Sequence, residues 1–521
     1  MSGTGESASF GKIRSVLWPI YSYELKKLLP MFFMFFCISF NYTILRDTKD
    51  ALVTTAPNSG AEAIPFLKLW CVLPAAILLV YIYSRLSNVL SRDRLFYTMI
   101  APFMAFFILF GFVLYPMRDV IHPTETAAML REILPSTGFF RGLLAVFEHW
   151  SFSIYYVLAE MWGSMVLSMM FWGFANEITK TTEAKRFYGL LGIGANLALV
   201  VSGPVTIWAS PGRGQPFGSS LQVLMTLTTI SAALAVATYA WMNRYVLTDP
   251  RFYDPSKVRK KKPKTKMPMS ESLKFLFQSR YLGCIAFMVM AYGLTINLIE
   301  VVWKGQVQMM YPDPADYTRF RGQFSTAMGL CSLVMFIFVS HNVLRRFGWT
   351  VAALITPVIL MFTGTSFFGF ATFRDAIPSV LMLGTSPLMM AVIFGAAQNV
   401  MTKSSKYSLF DPTKEMAYIP LDDESKVKGK AAIDVVGARL GKSGGSLILM
   451  PLMLFFTSIT EPLPIFIVGC VVIGVGMGWI KSARTLGGLY HALVAEKEGE
   501  EALAAANDSE KSPVGAEPAK A

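Results

Sequence analysis

The sequence predicts an all-α polytopic membrane protein with twelve transmembrane helices in two six-helix halves. Three observations carry that prediction. Of 521 residues, 54% are hydrophobic, 13% aromatic and only 16% charged, with mean hydropathy +0.47. That is more apolar surface than a water-facing fold can hide, so the bilayer must be the main solvent. Apolar runs of about 20 residues, the length a bilayer requires, recur twelve times between Pro, Gly and charged clusters. With the N-terminus placed inside, the cytoplasmic segments hold 33 Lys+Arg and the outer loops 9. That bias orients the chain by the positive-inside rule.

Taken in order, residues 1–29 form a cytoplasmic N-terminus. It is small and polar at first, then carries Glu24, Lys26 and Lys27 just before the first apolar run. No cleavable signal or organellar transit segment is visible there. The first half, 30–242, holds spans near 30–47, 66–84, 95–116, 149–176, 187–209 and 219–242. A basic cytoplasmic linker, 243–276, follows, with the run Lys257-Val-Arg-Lys-Lys-Lys-Pro-Lys-Thr-Lys266. The second half, 277–480, holds spans near 277–300, 322–341, 350–371, 378–400, 433–456 and 462–480. Residues 481–521 are a cytoplasmic tail, Ala, Glu, Lys and Pro rich from Glu496 and expected to be largely disordered. An even number of spans puts both termini on one side. The surplus of 47 Lys+Arg over 34 Asp+Glu is accounted for by the inner loops, so no nucleic acid is called for, although lipid headgroups can meet the basic linker.

The two halves echo one another. Ala175-Asn-Glu-Ile-Thr-Lys180 is matched by Gln398-Asn-Val-Met-Thr-Lys403, each with Asn-x-x-Thr-Lys, at Asn176 and Asn399. Gly194-Ala-Asn-Leu197 is matched by Gly437-Ala-Arg-Leu440, and Asn41 by Asn297 at the ends of the first and seventh spans. Their common order supports parallel-related halves, the major-facilitator-like arrangement. The second half carries an extra loop within Tyr407 to Lys430, expected on the cytoplasmic surface in a surface or gating role.

A charge at a helix centre costs a few kcal/mol, so each one needs a partner, a wet cavity or a function. Glu160 lies mid-span with Tyr156 and Ser164 on its face. Gly293, Asn297, Glu300 and Lys304 form a polar stripe, open to reading either as an i,i+4 pair or as part of a substrate site. Arg46 and Lys49 end the first span and can snorkel outward or turn into a cavity. In the eleventh span Val435, Arg439, Lys442 and Ser446 share a face, and Lys442 has no acidic residue within a turn. That cation, framed by Gly441, Gly444 and Gly445, points to a bound anion.

Other chemistries find less support. Gly437-Ala-Arg-Leu-Gly-Lys-Ser443 has three residues between its glycines where a phosphate loop needs four, and no strand precedes it. Gly189 to Gly194 and Gly441 to Gly445 read instead as faces for close helix packing. The five Cys lie in apolar stretches without a CxxC pair, and the four His show no metal spacing. No cofactor or metal is expected. A membrane enzyme acting on lipid-linked phosphates would be expected to show clustered Asp or a His/Asp pair, and neither is found.

Asn41-Tyr-Thr-Ile-Leu-Arg-Asp-Thr-Lys-Asp50, Ala159-Glu-Met-Trp-Gly-Ser164, Phe171-Trp-Gly-Phe-Ala-Asn-Glu-Ile-Thr179, Ile296-Asn-Leu-Ile-Glu-Val-Val-Trp-Lys304 and Leu440-Gly-Lys-Ser-Gly-Gly445 together resemble the ATP/ADP translocase family of obligate intracellular bacteria and plastids. The likeness covers nearly the whole chain outside its termini. It implies exchange of ATP inward for ADP, with inorganic phosphate as a candidate companion, by alternating access and without hydrolysis. With no organellar transit segment visible, a bacterial inner membrane is expected, as is a monomeric functional unit. The family's intramembrane charges fall on Lys49, Glu160, Glu300 and Lys442. Asn41, Arg46, Tyr156, Asn176, Asn297, Lys304, Arg439 and Ser446 are secondary candidates. Proton-coupled or broad-specificity nucleotide import is the alternative within the same family. An empty site with unpaired lysines is expected to resist occlusion until phosphates neutralise it.

Overall fold

Hydropathy of this kind leaves the backbone one solution, internal hydrogen bonding in helices. The computed structural model describes residues 20–210, 216–253, 279–377, 384–422, 429, 433 and 438–510, and among them there is no strand. The principal helices are α1 (Leu25–Thr54), α2 (Ala63–Ser87), α3 (Arg92–Leu114), α4 (Trp150–Ile178), α5 (Thr181–Ala209), α6 (Phe217–Tyr245), α7 (Arg280–Met310), α8 (Pro314–Leu344), α9 (Arg346–Thr372), α10 (Pro387–Ser405), α11 (Ala438–Met453) and α12 (Pro462–Glu510).

Ten of these are long and apolar enough to cross a membrane among the described residues, against twelve expected spans. The shortfall lies in α10 and α11. Pro387 and the Ser386 side chain, which accepts the Met389 N–H at 3.1 Å, start α10 well after residue 378. Its later turns carry Gln398, Asn399, Thr402 and Lys403, which lower its apolarity. In α11 the apolar part is only Ser443–Met453. Three further helices, Arg118–Ile121, Thr124–Ile133 and Gly138–Glu148, fill the stretch between α3 and α4 that hydropathy leaves as loop. The tail expected to be largely disordered from residue 481 continues α12 to Glu510, in keeping with its Ala, Leu and Glu content.

The chain divides into two compact units that do not follow the sequence halves. The first takes Met1–Lys264 together with Val301–Leu333 and Leu449–Pro464; the second takes Thr265–Glu300, Val334–Ile448 and Ile465–Ala521. The end of α7 and the start of α8 therefore pack with the first sequence half.

In the first unit α1 is the axis. Trp162 Nε1 of α4 donates to the Ile38 carbonyl at 3.1 Å, Ser231 Oγ of α6 to the Cys37 carbonyl at 3.2 Å, and the Phe35 and Phe171 rings stack at 4.2 Å. Helix α5 meets α8 through paired glycines. A Cβ on Gly203 would lie 2.5 Å from the Gly322 carbonyl oxygen, and one on Gly322 would lie 2.8 Å from that of Gly203. Past the end of α1, Glu62 accepts from Ser458 Oγ and from the Ile459 N–H, fastening the segment before α12.

In the second unit α11 lies close on α7. A Cβ on Gly441 would sit 3.0 Å from the Met290 carbonyl oxygen, and one on Gly445 would sit 3.1 Å from Asn297, which fits the close-packing reading of that glycine run. By contrast Gly189 and Gly192 face open space, and only Gly194 of their run meets a neighbour, Phe32 at 2.9 Å. The stretch from Lys406 to Ala417, expected as a surface loop, is helical and packed. Trp349 Nε1 donates to the Thr413 carbonyl at 2.9 Å, the Tyr281 hydroxyl to that of Ala417 at 2.7 Å, and Phe410 is buried against Trp479 and Tyr292. Ser425 lies outside the described residues.

Candidate functional site

The last three turns of α1 are polar yet buried. Asp47, Thr48, Lys49 and Asp50 are each at most 2% exposed. A helix end of that composition is stable away from water only where charges meet charges, and here they do. Lys49 Nζ lies 2.8 Å from Asp50 Oδ1 and 3.0 Å from Glu160 Oε1 of α4, with the Tyr156 ring centroid 3.9 Å away. Lys304 Nζ of α7 lies 2.9 Å from Asp50. Arg321 of α8 places Nη2 2.6 Å from Asp47 Oδ1 and 3.5 Å from Asp50 Oδ2, and its guanidinium lies 4.8 Å from the centre of the Phe324 ring. Ser325 Oγ donates to Asp47, and Arg46 reaches both Ser325 Oγ, at 2.9 Å, and Asp47 Oδ1, at 3.3 Å. Four cations (Arg46, Lys49, Lys304, Arg321) thus share three carboxylates (Asp47, Asp50, Glu160).

Glu160 differs from the rest, since its side chain is 31% exposed while that of Lys49 is 2%. It marks the face at which the cluster can be reached. The helix that bears it widens into π-turns over Trp162–Phe171, one residue beyond Met161, a feature that re-aims side chains and often accompanies function.

Of the four principal candidates, Lys49 and Glu160 are brought into one ion pair in the first unit. Glu300, in the second unit, has Oε1 2.7 Å from Lys403 Nζ, so the lysine of the repeated Asn-x-x-Thr-Lys element is its partner. Lys304 bonds Asp50 in place of the i,i+4 contact with Glu300. The side chains of Lys442 and Arg439 lie outside the described residues. Among the secondary candidates Asn41, Tyr156, Asn297 and Ser446 are buried, whereas Asn176 is exposed and accepts from the Tyr188 hydroxyl at 2.6 Å. Sequence reading missed Asp47, Asp50, Arg321 and Lys403. Asp47 and Asp50, three residues apart on a helix, flank Lys49 and were the available signal.

A second polar cluster of the first unit surrounds a cavity of about 140 Å³ lined by Leu52, Pro57, Tyr115, Arg118, His122 and His149 among others. It contains none of the charge cluster and is smaller than the roughly 300 Å³ at which small-molecule pockets begin. His149 Nε2 is 2.8 Å from the Pro57 carbonyl, the two Nδ1 atoms are 3.4 Å apart, and His122 Nε2 is 2.7 Å from Ser151 Oγ. One proton arrangement satisfies all three contacts. Neutral His149 donates from Nε2, neutral His122 donates from Nδ1 to His149 Nδ1, and Ser151 donates to His122 Nε2. A further proton on His149 would set its Nδ1–H against that of His122, and one on His122 would turn the Ser151 hydroxyl from donor to acceptor.

Burial, with His149 beside it, pushes His122 down to about 4, and burial also lowers His149 against its bond to Pro57. Arg118, Asp119, Arg131 and Glu148 are the charges around the pair. Between the ordinary value of 6.5 and about 4 the unfolded chain binds more protons, so this contribution to stability is present above 6.5 and lost as pH falls. The thermal midpoint of wild type is expected to drop from about pH 7 to about pH 5, and less so in His122→Gln. Equal slopes in both proteins would contradict that assignment.

The match to known proteins is extensive. The family model described as TLC ATP/ADP transporter matches residues 4–490. "ADP,ATP carrier protein 1" of Chlamydia trachomatis is 54% identical over 515 residues, covering 98% of this chain and 97% of that one. "ADP,ATP carrier protein 2, chloroplastic" of Arabidopsis thaliana is 48% identical over 482 residues, covering 91% of this chain and 76% of that one. Among solved structures, a bacterial homologue of the iron transporter ferroportin aligns with TM-score 0.55 at 13% identity over 89% of this chain and all of its own, a likeness of fold alone.

Proposed function

The chain belongs to the TLC ATP/ADP transporter family, and from that premise we propose that it is a nucleotide antiporter, exchanging ATP for ADP across a bacterial cytoplasmic membrane by alternating access and without hydrolysis. The observation that carries the reading onto this chain is Lys49, a buried ammonium beside a carboxylate that remains reachable, Glu160. Both termini are cytoplasmic in this reading, in line with the cation bias of the loops. ATP brings about four negative charges, and phosphate contacts strengthen where water is excluded.

The site differs in one respect from the expectation of bare lysines. Lys49 is held by Asp50 and Glu160. Entry of a phosphate is then an exchange of anions, in which substrate oxygen replaces carboxylate at the ammonium and no unpaired buried charge has to form. Lys442 supplies a second cation and Glu300 a second carboxylate in this scheme, one pair from each sequence half. Inorganic phosphate travelling with ADP as its monoanion would balance the one charge by which ATP exceeds ADP.

Uptake of labelled ATP into proteoliposomes loaded with ADP, with GTP, with phosphate or with nothing tests the reading. ADP-loaded vesicles are expected to exceed empty ones by at least about tenfold, the effect of roughly 1.4 kcal/mol on a barrier. Equal uptake into empty vesicles would exclude exchange. Uptake driven by a pH gradient alone would replace it with proton symport.

A further inference from the structure

We propose that Asp50 is the residue that makes transport strictly coupled, because its carboxylate is the shared counterion that ties α1 to α7 and α8 when no substrate is bound. The inference rests on the antiport reading and names the residue that enforces it. Asp50 is 1% exposed, and three cations converge on it, Lys49 at 2.8 Å, Lys304 at 2.9 Å and Arg321 at 3.5 Å. They come from three helices, α1, α7 and α8. Every one of the three is buried, none more than 3% exposed.

Such a node resists opening for two reasons. Parting α1 from α7 and α8 strips Lys304 of the Asp50 carboxylate and leaves a desolvated ammonium, which is far more costly than breaking a surface pair. The cations also repel one another once the carboxylate between them withdraws. An anion that takes over at Lys49 removes the first obstacle, since Asp50 is then no longer needed there and the site gains the negative charge that offsets Lys304 and Arg321. That anion reaches Lys49 from the side of Glu160, which is 31% exposed, and displaces its carboxylate from the ammonium. Without substrate, nothing replaces Asp50, and the carrier cannot reorient empty.

Neighbouring contacts fit this assignment. Asp47 holds Arg321 at 2.6 Å from the other side and is itself fixed by Arg46 and Ser325. Asp50 is therefore a positioning residue rather than a phosphate ligand, since a carboxylate repels the substrate it regulates.

The test compares Asp50→Asn and Asp50→Glu with wild type in proteoliposomes, reading the ratio of ATP uptake into empty vesicles to uptake into ADP-loaded ones. Wild type is measured first; absence of ADP-dependent uptake there would count against the antiport reading and leave the Asp50 claim to a second measurement that needs no substrate. In a background lacking the five native cysteines, Thr318→Cys, fully buried in α8, reports opening by its reaction with a membrane-impermeant maleimide. Asp50→Asn is expected to raise the uncoupled ratio by about tenfold or more and to raise labelling at position 318, with Asp50→Glu closer to wild type. If Asp50→Asn does not fold, the double change Asp50→Asn with Lys304→Gln removes carboxylate and cation together, and the same two shifts are expected in smaller measure. A folded variant of either kind that keeps the wild-type ratio and wild-type labelling overturns the proposal. Loss of all transport without increased labelling overturns it as well.

Discussion

Lys49→Ala should lower initial ATP uptake by two orders of magnitude or more while the protein still inserts and folds. Removing one charge-assisted contact from a water-excluded site costs about 3 kcal/mol, roughly a hundredfold in rate. Folding should survive because Asp50 keeps Lys304 and Arg321 as partners, and Glu160, already 31% exposed, can be solvated once its ammonium is gone. Lys49→Arg should recover only part of the rate. Its planar fork keeps the charge but does not fit the tight triangle of Asp50, Glu160 and the Tyr156 ring at 3.9 Å. Uptake within about twofold of wild type, at matched yield and thermal midpoint, would remove Lys49 from the substrate path.

Alanine at position 49 also separates two accounts of the empty carrier. If bare lysines blocked reorientation, their removal would free it and uncoupled flux would rise. With Asp50 as the tie, Lys49→Ala leaves the α7 and α8 contacts standing, so both coupled and uncoupled flux should fall together. The ratio between them is therefore as informative as the rate itself.

The sequence made the helices legible wherever lipid selects for apolarity, and less so where protein does. Hydropathy ends the first span near residue 47, yet α1 runs on to Thr54, because its last turns are covered by the ends of α7 and α8. For the same reason the eighth span was expected to begin at 322, which left Arg321 among loop cations when it is a buried residue of α8. Helix α10 shows the converse, a helix whose apolarity is diluted by buried Gln398, Asn399 and Thr402. Lys49 and Glu160 stood out because an intramembrane charge is conspicuous among Phe and Leu. Asp47 and Asp50 did not, because a polar helix end looks the same in sequence whether water or a second charged helix meets it.

Arg321→Met should destabilise the folded protein by about 3 kcal/mol. The guanidinium is 1% exposed and bridges Asp47 and Asp50. Removing one partner of a buried ion pair costs about 3–5 kcal/mol, because the other charge stays buried. Here the lower end applies, since Asp47 keeps Ser325 Oγ and Arg46, and Asp50 keeps two lysines. Methionine is long enough to fill the space beside Phe324 and Trp303, so a cavity adds little. The penalty should then be mainly electrostatic, and it should shrink when the stranded carboxylate is neutralised. Arg321→Met combined with Asp47→Asn is expected to regain at least half of the lost stability, a coupling of about 1.5 kcal/mol or more between residues in direct contact. Thermal midpoints and detergent-denaturation curves of the four proteins in that cycle decide the matter. Additive losses would mean that Arg321 acts through packing against its aromatic neighbours, and that the carboxylates of α1 are satisfied without it.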